Sequence, residues 1–397
     1  MELLAPAGSM EKLSYAYAYG ADAAYIGIRS FSLRSRADNF HADEHAHIAA
    51  VKGDRKLYGA LNIFFRNRDI DALEQSLEYI SRYPLDACII SDVGILSLCA
   101  HHFPHTPLHL STQANCLSSE AVKHYRDIGF SRIILGRELT LREIEQIRRD
   151  VPDIELEVFV HGAMCIAYSG RCLMSSVMAG RSANQGDCAH SCRWNYRVLE
   201  EEERPGEYYP VESGENYTAL FSSRDLCMID HLRDLRDAGV DSLKIEGRMK
   251  SLYYTAVVTR AYRKALDHMD EPELWKPYRE DLFKVSSREL STGFYYGRDQ
   301  MDSPALGGYR REYLFLGTLG RETAPGEFSC NVRNQLKSGE PIEFITPDIP
   351  WVEDRNFLIL DADRLPLDQA DHGKPCTIIP SVSVGTGAIM RRKITPA

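Results

Sequence analysis

Five of the ten cysteines, Cys165, Cys172, Cys188, Cys192 and Cys227, fall within one stretch of the chain, and the segment Gly186-Asp-Cys-Ala-His-Ser-Cys192 sets two of them as a Cys-x3-Cys pair. A loop of this kind has little core for thiols to fill, and clustered thiols in a reducing compartment serve as metal ligands or catalysts. Four thiolates hold either structural zinc or an iron–sulfur cluster. Cys-x6-Cys followed by Cys-x3-Cys departs from the pairings typical of zinc knuckles and of ferredoxins, so spacing alone leaves the metal open. Cys88, Cys99 and Cys116 sit in apolar surroundings and read as small hydrophobes. Cys330 and Cys376 stand near the C-terminal end without a partner in register.

A second set of residues follows short apolar runs: Arg29, Arg34, Arg36, Arg66, Arg68, Arg137, Arg248 and Lys250. Arginine forks match carboxylate and phosphate oxygens, so these cations suit an anionic ligand. Asn62, Ser111, Gln113 and Asn115 could orient such a ligand through hydrogen bonds. Glu246 and His161 are the candidates for proton transfer, being of types that a covered pocket tunes toward neutral pH. Tyr168, Tyr253 and Tyr254 have the rings to stack on a base.

The elements that must position these groups repeat regularly. Candidate strands at Glu2–Ala5, Ala23–Ile28, Leu57–Ile63, Ala87–Ser91, Leu108–Ser111, Arg132–Leu135, Leu156–Val160 and Ser242–Ile245 alternate with amphipathic stretches such as Ser9–Tyr19, Asp71–Tyr83, Ser118–Ile128 and Thr140–Arg149. Eight strand–helix units predict an α/β fold, a closed (βα)8 TIM-like barrel, with an open doubly wound sheet as the rival. Residues 162–223 are too long for an ordinary connection and are expected to cover the C-terminal face, where barrel enzymes place their chemistry. A helix is expected over Asp225–Ala238. The barrel domain is expected to span 1–270 and a connecting segment 271–308; short runs punctuated by Gly, Pro and Asp predict a small all-β, barrel-like domain over 309–397.

With 47 basic and 57 acidic residues the formal charge is −10, so any polyanion must meet a local patch. The N-terminal residues lack the pattern of a secretory signal and no run of eighteen apolar residues occurs, which predicts a cytoplasmic protein with no membrane association.

The stretch from Glu157 to Ser175, Glu-Val-Phe-Val-His-Gly-Ala-Met-Cys-Ile-Ala-Tyr-Ser-Gly-Arg-Cys-Leu-Met-Ser, resembles the signature of the U32 peptidase family at every specified position. LLAPAG (3–8), GADAAYIG (20–27), HLSTQAN (109–115), NQGDCAHSCRW (184–194) and SLKIEGRMKS (242–251) extend the likeness over almost the whole chain. Within the family the chain is most similar to the branch that hydroxylates the wobble uridine of tRNA to 5-hydroxyuridine with prephenate as co-substrate. That resemblance implies a [4Fe–4S] cluster on Cys165, Cys172, Cys188 and Cys192, with Cys227 as the alternative fourth ligand, and the iron–sulfur assembly machinery, tRNA, and a second family member or a second copy of the chain as partners. The basic rim, with Arg310 and Arg311, is then expected to meet the tRNA backbone. Peptidase activity, or hydroxylation of ribosomal RNA or a small molecule, is the alternative; the sequence has no His-Glu-x-x-His or Gly-x-Ser-x-Gly motif.

Overall fold

The computed structural model describes residues 1–33, 40, 44–165, 167–194, 212–214, 217–219, 224–285, 288–297 and 312–394; Arg34, Arg36, Arg310 and Arg311 lie outside the described residues. Eight parallel strands run in the order β1 (Glu2–Pro6), β2 (Ala23–Gly27), β3 (Lys56–Leu61), β4 (Ala87–Ile90), β5 (Leu108–Leu110), β6 (Arg132–Ile134), β7 (Glu155–Ala163) and β8 (Ser242–Ile245). The ring closes because β8 pairs with β1 at Glu2↔Ser242 and with β7 at Ser242↔Glu157. All eight expected strands are present, and closure excludes the open sheet. Near-continuous apolar runs such as Ala-Cys-Ile-Ile are what strands buried on both faces require.

Alternation along the strands stacks the barrel interior in layers. At the N-terminal end Arg132 reaches Glu2 at 2.6 Å and Glu155 at 2.9 Å. Deeper, Glu157 is fully buried between Arg132 at 3.0 Å and Lys244 at 2.8 Å. Burial alone would raise the Glu2 carboxyl, but the Arg132 hydrogen bond and charge hold it down at about 2. Two residues farther along stand Phe159 on β7 and Glu246 just past the end of β8, so one framework carries both the ionic floor and the mouth.

The insertion is tied at its base to β7. Asp225–Cys227 runs antiparallel to β7, pairing Asp225 with Ala163 and Cys227 with His161, and Leu290–Ser291 adds beside it in parallel. The expected helix from Asp225 therefore begins only at Leu232 (Leu232–Asp237). The reason is local: the Asp225 backbone joins the ladder while its buried carboxylate binds Arg288 at 2.6 Å.

The chain forms two compact units, Met1–Tyr17, Ala21–Ser251 and Ser287–Tyr309 in the first, and Ala18–Gly20, Leu252–Ser286 and Arg310–Ala397 in the second. Helix Leu252–Asp267, expected to end the barrel domain near 270, thus groups with the second unit. The expected connection 271–308 contains helix Pro272–Asp281, opened by a proline at its first position, where no amide bond is lost. In the second unit a buried charge cluster fixes these helices: Arg260 binds Asp281 at 2.5 Å, and Arg391 binds Asp281 at 2.9 Å, Glu343 at 2.7 Å and the Tyr253 hydroxyl at 3.1 Å. Tyr253 and Tyr254 are buried here and are not available to stack on a base. The unit's seven-stranded sheet runs in the order Val352–Asp354, Ile342–Ile345, Ile389–Lys393, Tyr313–Ala324, Glu327–Val332, Pro375–Ile379, Leu358–Leu360, every pairing antiparallel. Contrary to the sequence reading, Cys330 and Cys376 are in register, directly opposite one another.

Candidate active site at the barrel mouth

Three loops seat the insertion over the C-terminal ends of the strands. After β3, the Phe64 amide donates to the Asn184 carbonyl at 3.1 Å. After β6, Glu138 accepts from the Ser169 amide at 2.7 Å and from its hydroxyl at 3.3 Å. After β5, the Gln113 backbone runs so close to Gly170 that a Cβ there would lie 2.1 Å from the Gln113 carbonyl oxygen, and Gly170 adopts a φ of +73°. Only glycine meets both demands, which explains its place in the signature.

Beneath this roof lies a cavity whose floor is Tyr25, Ile134, Phe159 and Lys244 and whose side carries Asn62, Ser111, Gln113, Arg137, Glu246 and Arg248. The roof brings Cys165, Cys172, Cys188 and Cys192 to the same space, with Tyr168, Asn184 and His190. The cations are held in place. Arg137 stacks on the Phe159 ring at 3.7 Å and lies 3.6 Å from Glu246. Arg248 is buried, donates to the Ser32 hydroxyl at 3.1 Å, and crosses Gly27 so closely that a Cβ there would meet its Nη1 at 2.3 Å. Burial pulls the Lys244 ammonium down, against the opposing charge of Glu157.

Cys188 and its neighbours are braced from within the insertion. The His190 amide donates to the Cys188 sulfur at 3.4 Å, the Ala189 amide to the Ser175 hydroxyl at 2.8 Å, and Arg181 binds Asp187 at 2.8 Å. None of the ten cysteines is joined in a disulfide. Among the described residues, no three His, Cys, Asp or Glu side chains converge as a single metal ion would require. Burial pushes Cys88, Cys99 and Cys116 up to about 12, the state of inert core thiols.

Of the residues singled out from sequence, the cavity thus gathers Asn62, Ser111, Gln113, Arg137, Tyr168, Glu246, Arg248 and four cysteines. Cys227 lies on the strand opposite His161 and does not line it. Nor does His161, whose buried imidazole is pushed down to about 4, mainly by desolvation, so it is neutral at pH 7. Its backbone carbonyl instead accepts from the Glu246 amide at 2.9 Å, anchoring the strand end that carries Glu246. Asn115 falls outside the lining, its Oδ1 buried without a hydrogen-bond partner. Arg29, Arg66 and Arg68 are exposed; Arg66 borders a second groove with Phe64, Phe65 and Arg181. Lys244, Asn184 and His190 were missed. Lys244 had a legible signal, since it lies on the strand Ser242–Ile245 only two residues before Glu246.

The model of peptidase family U32 matches residues 8–304. A curated Bacillus subtilis protein, tRNA hydroxylation protein P1, is 38% identical over 92% of this chain and 90% of its own length. The Escherichia coli tRNA hydroxylation protein P is 36% identical over 87% and 86%. A Porphyromonas gingivalis protein named collagenase is 31% identical over 75% and 74%.

Proposed function

The chain belongs to peptidase family U32, and from that premise we propose that it is a tRNA-modifying enzyme that hydroxylates the wobble uridine to 5-hydroxyuridine, with prephenate as co-substrate and a [4Fe–4S] cluster on Cys165, Cys172, Cys188 and Cys192. The observation that carries this reading is that four thiols and the held Arg137 and Arg248 line one covered cavity, in a chain that shares most of its length with proteins named for tRNA hydroxylation.

The donor set suits a thiolate-held cluster: four cysteines, none joined in a disulfide, line one space, and a backbone amide already donates to one of the sulfurs, as hydrogen bonds to cluster ligands do. When bound, such a cluster supplies one-electron redox capacity at the mouth. The chain's own residues do the rest. Arg137 and Arg248 supply positive charge for the carboxylates of a dicarboxylate such as prephenate, while the Lys244 charge is met by Glu157. Asn62, Ser111 and Gln113 offer directed hydrogen bonds to a ring or a carboxylate. Glu246 holds or accepts a proton beside Arg137. The seated insertion covers the floor, and a covered, lower-dielectric site strengthens each of these charge interactions. The exposed Tyr168, at the cavity's edge, is placed to stack on a base.

Nucleoside mass spectrometry on tRNA from a strain lacking the chain, complemented with wild type or with Cys188→Ala, tests the reading. We expect loss of 5-hydroxyuridine derivatives, restored by wild type alone, and iron with sulfide in the anaerobically purified wild type. Unchanged nucleosides together with peptide hydrolysis by metal-free protein would replace this reading with the peptidase one.

A further inference from the structure

In the second unit Cys330 and Cys376 stand directly opposite across the antiparallel pair formed by Glu327–Val332 and Pro375–Ile379. Directly opposed residues in such a pair have Cα atoms about 4.5–5.5 Å apart, inside the roughly 4.4–6.8 Å range that a disulfide spans. Both side chains lie in one apolar core with Leu316, Phe328, Val332 and Ile378, hence on the same face of the sheet. No metal-binding or catalytic role in the proposed reaction involves them, and packing alone does not require two thiols face to face.

We propose that Cys330 and Cys376 are a modification site, a dithiol that a two-electron oxidant of the hydroperoxide class converts to a cross-strand disulfide. Cys376, the more exposed of the two, acts first. Its thiolate attacks one oxygen of hydrogen peroxide; the S–O bond forms, the O–O bond breaks, and the departing hydroxide takes a proton to leave as water. Cys330 then attacks the resulting sulfenic sulfur, forming the S–S bond, while the S–O bond breaks and the hydroxyl leaves as a second water. Two thiols lose two electrons in all, and the peroxide is reduced to two waters.

The test uses the full-length protein, reduced and then treated with hydrogen peroxide, with alkylation and peptide mapping to separate this pair from the mouth thiols. We expect a linked peptide joining Cys330 to Cys376, reversed by dithiothreitol, and a rise in the second unit's melting temperature on the order of 10 °C upon oxidation. In Cys330→Ala, Cys376 should persist as a sulfenic acid trapped by dimedone. Oxidation of the mouth thiols with no 330–376 linkage in wild type overturns the proposal. Mapping of the wild type decides the matter even where the variant fails to fold.

Discussion

Replacing Glu157 by Gln keeps the side chain's shape and removes the charge between Arg132 and Lys244. Arg132 retains Glu2 and Glu155 as ion-pair partners, so the loss falls on Lys244, which keeps the weaker influence of Glu246. Removing one partner of a buried pair typically destabilises by about 3–5 kcal/mol. A second route gives a ceiling. Lys244 can escape by shedding its proton, at about 1.4 kcal/mol per pH unit from an ordinary lysine value of about 10.4, which comes to roughly 5 kcal/mol at pH 7. The sign follows from proton counting. In the variant the folded state holds Lys244 neutral while the unfolded chain binds the proton, so stability rises with pH until the unfolded lysine itself titrates. The deficit against wild type at pH 7, roughly 10 °C in melting temperature for a unit of this size, should shrink to about half or less by pH 9. Thermal melts of both proteins at pH 7, 8 and 9 measure it. Equal melting temperatures at pH 7, or a deficit that does not narrow with pH, would refute the view that the signature carboxylate serves to neutralise Lys244.

Gly170→Ala should unseat the insertion while sparing the barrel, because the new Cβ meets a backbone oxygen at 2.1 Å; hydrogen exchange should rise across 164–194 and modification should fall, with the main thermal transition little changed. His161, held neutral at about 4 against 6.5 for an unperturbed histidine, makes the protein lose stability as the pH drops from about 6.5 toward about 4, since the unfolded chain takes up a proton that the fold refuses. His161→Gln should flatten that slope in urea titrations at pH 7 and pH 5. If the exposed Arg29, Arg66 and Arg68 meet phosphates, the triple alanine variant should reduce the dependence of log K on log salt by up to about 0.9 for each phosphate no longer neutralised, measured by tRNA binding at several ionic strengths.

The barrel was legible because its signal is local. Each strand is a short apolar run and each helix repeats at three and four; the count of eight suggested closure, which the pairing of β8 with β1 and β7 decides. The seat of the insertion was not, because the approach of Gly170 to Gln113 joins residues 57 positions apart whose loops meet only once the ring has closed. The same limit governs Cys330 and Cys376, whose strands are neighbours in the sheet although others intervene in sequence. The position of His161 was not legible for a different reason. Its type suits proton transfer, but pairing with both β8 and the Asp225–Cys227 strand buries it beside the cavity instead of in it. Arginines after strands marked the rim correctly as a place, yet only Arg137 and Arg248 of the described set line the cavity; sequence does not say which long side chain turns inward.

These placements divide the signature between framework and chemistry. Glu157 is enclosed by two cations and Gly170 fills a gap that admits no side chain, whereas Cys165 and Cys172 face the cavity. The carboxylate at the head of the signature is therefore not the group that handles a proton. Among the described lining residues the single carboxylate is Glu246, which is therefore the proposed proton carrier. Its charge also positions Arg137 at 3.6 Å, so two roles must be separated. Glu246→Gln preserves size and hydrogen bonding but cannot take a proton. If Glu246 is the proton carrier, turnover should fall by roughly a hundredfold or more, the usual scale of general acid–base catalysis, with KM for the anionic co-substrate little changed. If it only orients Arg137, KM should rise and turnover at saturation should persist; that outcome would remove Glu246 from the chemistry.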